Sequence, residues 1–325
     1  MPPVSGTILT LETVPEYLVG RGVFEPGAGL EVEELGGGVS AAVFAVRGES
    51  KRIVVKQARE RFSVADEWIV PRDRAVDEAR ALELMAVITP GSVPRLLDVD
   101  PSSYALVMEE APAAWRPWKS MLLEGEADTA VARRLGEVLA ALHGRTADVG
   151  LGSAESFDAQ RVDPYFRTIQ RRHPELAGEI EAYVGRLLAT DRCVVHGDYS
   201  PKNVLVGGAG LWVIDWEIVH RGDPAFDVAF LLNHLLLKTI HGREARAGHE
   251  ACGRAFLDAY GAELDMTYVL GLVGCLMLAR VDGKSPAEYL TEPEREHARS
   301  TGITLLTEPS ASLPDAWARI TPPPQ

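Results

Sequence analysis

The sequence predicts an α+β chain in two lobes: a small antiparallel-sheet lobe over residues 1–110 and a larger, mainly helical lobe over residues 111–325. Three observations support this division. Short apolar runs punctuated by glycine crowd into the first third of the chain. From Thr129 onward apolar residues recur mostly at helical spacing instead. Between the two patterns lies Glu110 to Pro117, where Pro112 and Pro117 suit a boundary. With 325 residues, 46% of them hydrophobic, the chain can bury more than one core.

The elements follow in order. Leu11 to Val19 reads as a short opening helix after Thr10, limited in regularity by Pro15. Val32 to Val46 reads as strand, glycine turn and strand, with Gly36, Gly37, Gly38 and Ser40 in the turn. Such glycines let a backbone approach an anion with no side chain in the way, although a hairpin turn alone explains them equally well. Arg52 to Gln57 is a strand that places Lys56 inside an apolar run. An insert, Ala58 to Val70, contains Trp68, and a helix is expected from Arg72 to Val87 after Pro71, with Ala75, Ala79, Leu82 and Met85 or Ala86 at helical spacing. Tyr104 to Met108 closes the lobe as a strand that runs on into Glu109, Glu110 and Ala111.

In the larger lobe, helices are expected over Thr129 to His143, Asp158 to Arg172, Pro174 to Ala189, Asp223 to His241, His249 to Tyr260 and Asp265 to Arg280. Among them lies Val195-His196-Gly197-Asp198-Tyr199-Ser200-Pro201-Lys202-Asn203-Val204-Leu205-Val206, followed after a glycine turn by Leu211-Trp212-Val213-Ile214-Asp215-Trp216-Glu217. Two apolar runs flanking this polar loop present Asp198, Asn203 and Asp215 at one edge of a small sheet. The three suit separate tasks. An ionised aspartate can orient and deprotonate an attacking hydroxyl, while an amide oxygen and a second carboxylate can hold a hard cation such as magnesium against phosphates.

Asn203 lies five residues after Asp198, and Asp215 twelve beyond Asn203. This spacing resembles the catalytic loop and metal segment of kinases. His-Gly-Asp resembles the aminoglycoside phosphotransferase and choline kinase family, whose fold is protein-kinase-like and whose members act on small molecules. The upstream parts stand in matching order, and the resemblance covers roughly residues 10 to 282. It implies that Asp198 is the catalytic carboxylate and that Asn203 and Asp215 hold Mg2+. It also implies that Lys56 contacts ATP phosphates and pairs with a helical glutamate; Glu78 is the best placed, with Asp77 and Glu83 as competitors. The glycine turn, Gly36, Gly37, Gly38 and Ser40, would approach phosphate, and backbone near Glu109 to Ala111 would hold adenine. Asp227, in Gly222 to Ala229, is expected to bond the catalytic-loop backbone, and His196 to serve as a packed brace.

The insert with Trp68, and the Asp-x-Glu pair Asp215 and Glu217, resemble methylthioribose kinases. They make Trp68 a candidate substrate contact and Glu217 a further metal ligand, provided no turn after Asp215 aims it elsewhere. Asn203 fits the broader family pattern, so the acceptor stays open among aminoglycosides, amino alcohols and ribose-like sugars. Lys202 is either a phosphoryl-neutralising cation or a solvated loop lysine. Arg280, with Asp282 and Lys284 nearby, is either an acceptor-pocket residue or a helix-end cation.

The expected activity is therefore transfer of the ATP γ-phosphoryl group to a hydroxyl of a small molecule. A metallophosphoesterase built on His196, Asp198, Asn203 and Asp215, or a nucleotide-binding pseudokinase scaffold, are the alternatives from other classes. The first leaves Lys56 and the glycine turn without a role, and the second predicts loss of a reacting residue. A protein kinase is disfavoured because no activation segment with an Ala-Pro-Glu ending is recognisable. A net charge of −14 argues against nonspecific nucleic-acid binding. Cys193, Cys252 and Cys275 are scattered and odd in number, as reduced thiols of a cytoplasmic protein would be. No targeting signal or membrane span is expected, since the apolar run Val269 to Ala279 is too short. The tail, Thr321 to Gln325, is expected to be extended and frayed.

Overall fold

The computed structural model describes residues 8–36, 40–60, 70–208 and 210–320. The chain divides into two compact units, Met1–Ala114 and Trp115–Gln325. Gly37, Gly38, Trp68, most of the 58–70 insert and the 321–325 tail lie outside the described residues.

The N-terminal unit contains α1 (Val14–Gly20), β1 (Glu31–Glu34), β2 (Ala41–Arg47), β3 (Arg52–Ala58), α2 (Arg74–Ile88), β4 (Leu96–Asp100) and β5 (Ala105–Glu109). The strands form one antiparallel sheet in the order β1-β2-β3-β5-β4. Side-chain alternation on β3 explains its two faces. Ile53 and Val55 enter a core with Leu9, Val14, Tyr17, Leu18, Phe44 and Val107, whereas Val54 and Lys56 take the opposite direction along the strand. Gln57 is buried but satisfied: its Oε1 accepts from the Leu9 N–H at 2.7 Å and its Nε2 donates to the Ser103 carbonyl at 3.0 Å. Helix α1 begins at Val14 rather than Leu11, with Pro15 in its first turn, where the missing N–H costs nothing.

The C-terminal unit begins with β6 (Arg116–Pro117), α3 (Trp118–Leu123), α4 (Thr129–Arg145) and α5 (Ala154–Phe157). A π-helical segment, Asp158–Arg167, then leads into α6 (Thr168–Arg172) and α7 (Ala177–Ala189). After β7 (Cys193–Val195), β8 (Val204–Gly207), β9 (Gly210–Val213) and β10 (His220–Gly222) come α8 (Pro224–His241), α9 (Arg246–Tyr260), α10 (Met266–Asp282), α11 (Glu292–Thr307) and α12 (Leu313–Arg319). Strands β6, β8 and β9 form one small sheet and β7 with β10 another. Helix α4 packs on α9, and α10 lies against α8 and α11. Gly136 permits the first contact, since a Cβ there would fall 2.4 Å from the Phe256 carbonyl oxygen. Helix α8 is buried on nearly every side, which its apolar composition allows. Among the described residues no helix is long and apolar enough to cross a membrane.

The expected α-helix over Asp158 to Arg172 is corrected. Its first ten residues wind as a π-helix containing Pro164, which has no N–H to donate. The Thr168 N–H reaches back to the Asp163 carbonyl, five residues away. Residues 174–176 likewise form a tight 3₁₀ turn before α7.

Candidate active site

In the N-terminal unit, β3 and α2 set an ion pair. Lys56 Nζ lies 2.9 Å from Oε1 and 2.8 Å from Oε2 of Glu78, which is buried. Both carboxylate oxygens are engaged, so the ammonium is held in one place. Glu78 is thus the glutamate that meets Lys56. A neighbouring buried side chain had no signal in the sequence. Arg74 donates to the carbonyls of Pro71 at 2.6 Å, Ser40 at 2.7 Å and Arg59 at 2.7 Å, and so ties the residue after the glycine turn to the end of β3 and the start of α2. Gly36 is exposed, with open space where a Cβ would stand. Glu109 ends β5 with its N–H bonded to the Arg95 carbonyl at 3.0 Å, and Ala111 is half-buried just beyond it.

In the C-terminal unit, the chain leaves β7 through His196 and Gly197. Gly197 has a left-handed φ of 78°, and a Cβ there would lie 2.6 Å from the Ile218 carbonyl oxygen, so glycine is required on both counts. Asp198 follows, buried at 3% exposure. Its Oδ2 meets Arg161 Nη2 at 2.9 Å and Lys202 Nζ at 3.0 Å. Burial pushes this carboxyl up and Asp215 adds to the push, but Lys202 and Arg161 outweigh both and hold it below the usual carboxylate range. Asp198 is therefore ionised near neutral pH, and no hydrogen bond to its Oδ1 occurs among the described residues.

Arg161 was not singled out in the sequence. It comes from the π-helical segment, and its Nε also donates to the Gly197 carbonyl at 2.8 Å. The widened turn re-aims side chains relative to an α-helix, which helps explain why α-helical periodicity gave no warning. Lys202, about half exposed, is bonded to Asp198 rather than simply solvated.

Asn203 sits in a 3₁₀ turn, Pro201–Asn203. Its Nδ2 donates to the Asp198 carbonyl at 3.0 Å, which leaves its amide oxygen as an acceptor. Its own carbonyl accepts from the Ile214 N–H at 2.9 Å and so joins the loop to the end of β9. Asp215 has φ of 67°, a left-handed conformation uncommon for a residue other than glycine. Strand β9 has already ended, and the chain turns. Trp216 is fully buried and donates to the Val213 carbonyl at 3.0 Å, which anchors the turn. Although the strand does not continue through both residues, Asp215 and Glu217 offer carboxylate oxygens within 4.8 Å of each other. With the Asn203 amide oxygen on the adjoining turn, this all-oxygen donor set fits a hard divalent cation.

Two residues brace the loop. Asp227, fully buried in the first turn of α8, accepts from the His196 N–H at 2.7 Å and the Gly197 N–H at 2.9 Å, and its Oδ2 lies 3.2 Å from His143 Nε2. Burial raises its pKa, but the His143 hydrogen bond leads the contributions that bring it below the usual range. His196 accepts from the Asp198 N–H through Nδ1 at 3.1 Å, so Nε2 carries the proton and donates to the Ile214 carbonyl at 3.2 Å. Burial lowers its pKa and keeps it neutral. With both ring nitrogens committed to backbone, His196 has none to spare for a metal.

Arg280 lies near the end of α10, where its Nη1 donates to the Ser285 carbonyl at 2.5 Å and hydroxyl at 2.8 Å. Its two charged neighbours are engaged elsewhere: Asp282 with Arg299 at 2.8 Å and His173 at 2.9 Å, and Lys284 with Asp163 at 3.5 Å.

The chain matches the phosphotransferase enzyme family, APH, over residues 31–267. It is 26% identical over 271 residues to a methylthioribose kinase of Bacillus cereus (strain AH820), covering 74% of this chain and 69% of that one. A choline/ethanolamine kinase family protein from Mesorhizobium loti shares the fold with a TM-score of 0.55 at 18% identity, over 95% of this chain and 96% of that one. An amicoumacin kinase in complex with AMP-PNP, Ca2+ and Ami gives a TM-score of 0.57 at 12% identity, over 92% of this chain and 94% of that one. The five-stranded antiparallel sheet followed by a mainly helical region is the protein-kinase-like fold of these proteins. The family match spans more than half of the chain and contains Lys56, Glu78, Asp198, Asn203 and Asp215, and by it the chain belongs to the APH phosphotransferase enzyme family.

Proposed function

We propose that the protein is a small-molecule kinase that transfers the γ-phosphoryl group of ATP to a hydroxyl, with magnesium. The observation that carries this reading is the Asp198 loop: a buried carboxylate held ionised by Lys202 and Arg161, beside the oxygen donors Asn203, Asp215 and Glu217. The amicoumacin kinase, solved with an ATP analogue and a divalent cation, lends support to both cofactors.

Arg161 and Lys202 occupy Oδ2 of Asp198, so Oδ1 is the oxygen offered to the acceptor hydroxyl. A carboxylate this acidic orients the hydroxyl first and takes its proton as the new bond forms. The acceptor oxygen bonds to the γ-phosphorus, the bond from that phosphorus to the β,γ-bridging oxygen breaks, and ADP leaves with the electron pair. Lys56, fixed by Glu78, donates to nucleotide phosphate oxygens. Asn203, Asp215 and Glu217 would hold magnesium, which supplies neutralisation of phosphate charge. On this reading, backbone near Glu109 and Ala111 would serve adenine, and Gly36 and Ser40 would approach the phosphates.

The reading is tested by ADP formation with Mg-ATP and a library of hydroxyl compounds. ADP should form only when an acceptor is present, with equal phosphorylated product. Hydrolysis of phosphomonoesters without ATP would support the metallophosphoesterase instead, a reading already weakened by the backbone bonds at both His196 nitrogens. ATP binding with no turnover across the library would favour the scaffold.

A further inference from the structure

On the kinase reading above, a second set of groups in the C-terminal unit bears on the class of acceptor. Helix α8 places His234 and Lys238 one turn apart on one face, and both are buried, Lys238 at 1% exposure. Helices α3 and α10 pack against α8, bringing Lys119 and Arg280. The Lys238 and Lys119 ammonium groups lie 5.3 Å and 5.9 Å from the centre of the Tyr289 ring. Against these cations stands Glu288, exposed and already bonded to Lys119 at 2.5 Å. Among the described residues no carboxylate reaches ion-pair distance of Lys238.

Two of the cluster's donors also lack acceptors. Among the described residues, Nε of Arg280 and the hydroxyl of Tyr289 are both buried without a partner. An isolated buried donor is costly, and a buried unpaired ammonium more so. Burial, then Lys119 and Arg280, press the Lys238 ammonium down to about 7. Burial, then Lys238 and Arg280, put His234 well below its ordinary value. The cluster adjoins the Asp198 loop: Arg161, 2.9 Å from the Asp198 carboxylate, lies 5.5 Å from the centre of the Phe230 ring, which is 5.3 Å from that of His234. In a chain of net charge −14, this is a local excess of positive charge and of donors beside the proposed reacting carboxylate.

We propose that the acceptor is a hydroxyl compound bearing an oxyanion, a carboxylate or a phosphate, bound by Lys238, Arg280 and Tyr289 with Lys119 and His234 at its edge. The oxyanion supplies the acceptors that the Arg280 Nε and the Tyr289 hydroxyl lack and the counter-charge that Lys238 lacks. A quaternary ammonium or polyamine placed there would be repelled.

The test uses the whole chain and matched probes: glycerol, glycerate and glycerol 3-phosphate, then ribose and ribose 5-phosphate, with choline as the cation. Binding is followed by calorimetry without nucleotide. At least one anionic probe should bind about tenfold or more tightly than its neutral parent, and Lys238→Met should remove about tenfold of that preference. The same variant should keep its affinity for AMP-PNP and melt no lower than the wild type, since it removes an unpaired buried charge. Glycerate and glycerol 3-phosphate separate carboxylate from phosphate. Anionic probes that bind no better than their parents, a preference for choline, or an anion preference indifferent to Lys238→Met would overturn the proposal. If the variant fails to fold, the wild-type comparison still decides. Turnover is measured separately, so a protein that binds oxyanions but never consumes ATP contradicts the kinase reading rather than the anion site.

Discussion

Arg161 reaches from a π-helical turn to within 2.9 Å of the Asp198 carboxylate. It and Lys202 hold that carboxyl below its ordinary value. Replacing Arg161 with Gln removes one of the two cations, so the pKa of Asp198 must rise. The acidic limb of the kcat/KM profile should move to higher pH, and kcat should fall about tenfold or more at neutral pH. An unmoved limb in a folded variant would mean that Arg161 does not tune Asp198.

Asp227 is predicted to contribute through the loop backbone. Asp227→Ala leaves the His196 and Gly197 N–H groups unsatisfied in a buried site, and stability should drop by about 2–5 kcal/mol in urea unfolding. Its folded pKa is depressed, so its contribution is present above the unfolded value of about 4 and is lost as pH falls toward the folded pKa. As pH falls below about 4 the wild type should therefore lose more stability than Asp227→Asn. Equal losses would assign the acid sensitivity to other carboxylates.

Lys56 and Glu78 should behave as one unit. Lys56→Met and Glu78→Gln should each lower kcat/KM for ATP about 10- to 100-fold, and the double variant should be little worse than the poorer single one. Fully additive losses would show that the ion pair is not what positions the lysine.

Asp215→Asn and Glu217→Gln should each shift the magnesium dependence of turnover to higher concentration, about tenfold for Asp215→Asn. A magnesium titration unchanged by both would place the metal elsewhere.

Much of this fold and site is legible in the sequence because its signals are local. The sheet strands show alternation and glycine turns, and α4, α8, α9 and α10 show long helical periodicity. Asp198, Asn203 and Asp215 occupy one short stretch. The family resemblance, carried by chain order, pairs Lys56 with a helical acid, best Glu78 over Asp77 and Glu83, and the Lys56–Glu78 contact agrees. What escaped is non-local or depends on backbone shape. Arg161 meets Asp198 only through a π-helical turn, and Arg74 works by reaching three carbonyls from separate segments. The left-handed Asp215 brings Glu217 back toward it where a strand argument required continuity. Helix α11 could have been found: Thr291 followed by Glu294, whose carboxylate accepts from the Thr291 N–H at 2.8 Å, is a helix-start signal. Lys238 and His234 sat unnoticed in an apolar helix, because periodicity marks the buried face and not the charges brought to it by α3 and α10.

The central claim is that Asp198 accepts the proton of an acceptor hydroxyl during phosphoryl transfer from ATP. Phosphorus-31 NMR of Mg-ATP turnover with an identified acceptor tests it most directly, comparing the wild type with Asp198→Asn. The account predicts that the wild type converts the γ-phosphate resonance into a phosphomonoester with matching ADP. Asp198→Asn should bind AMP-PNP with near-normal affinity yet form the ester about 10²- to 10⁴-fold more slowly. Release of the γ-phosphate only as inorganic phosphate, or an ester formed at the wild-type rate by folded Asp198→Asn, would contradict it.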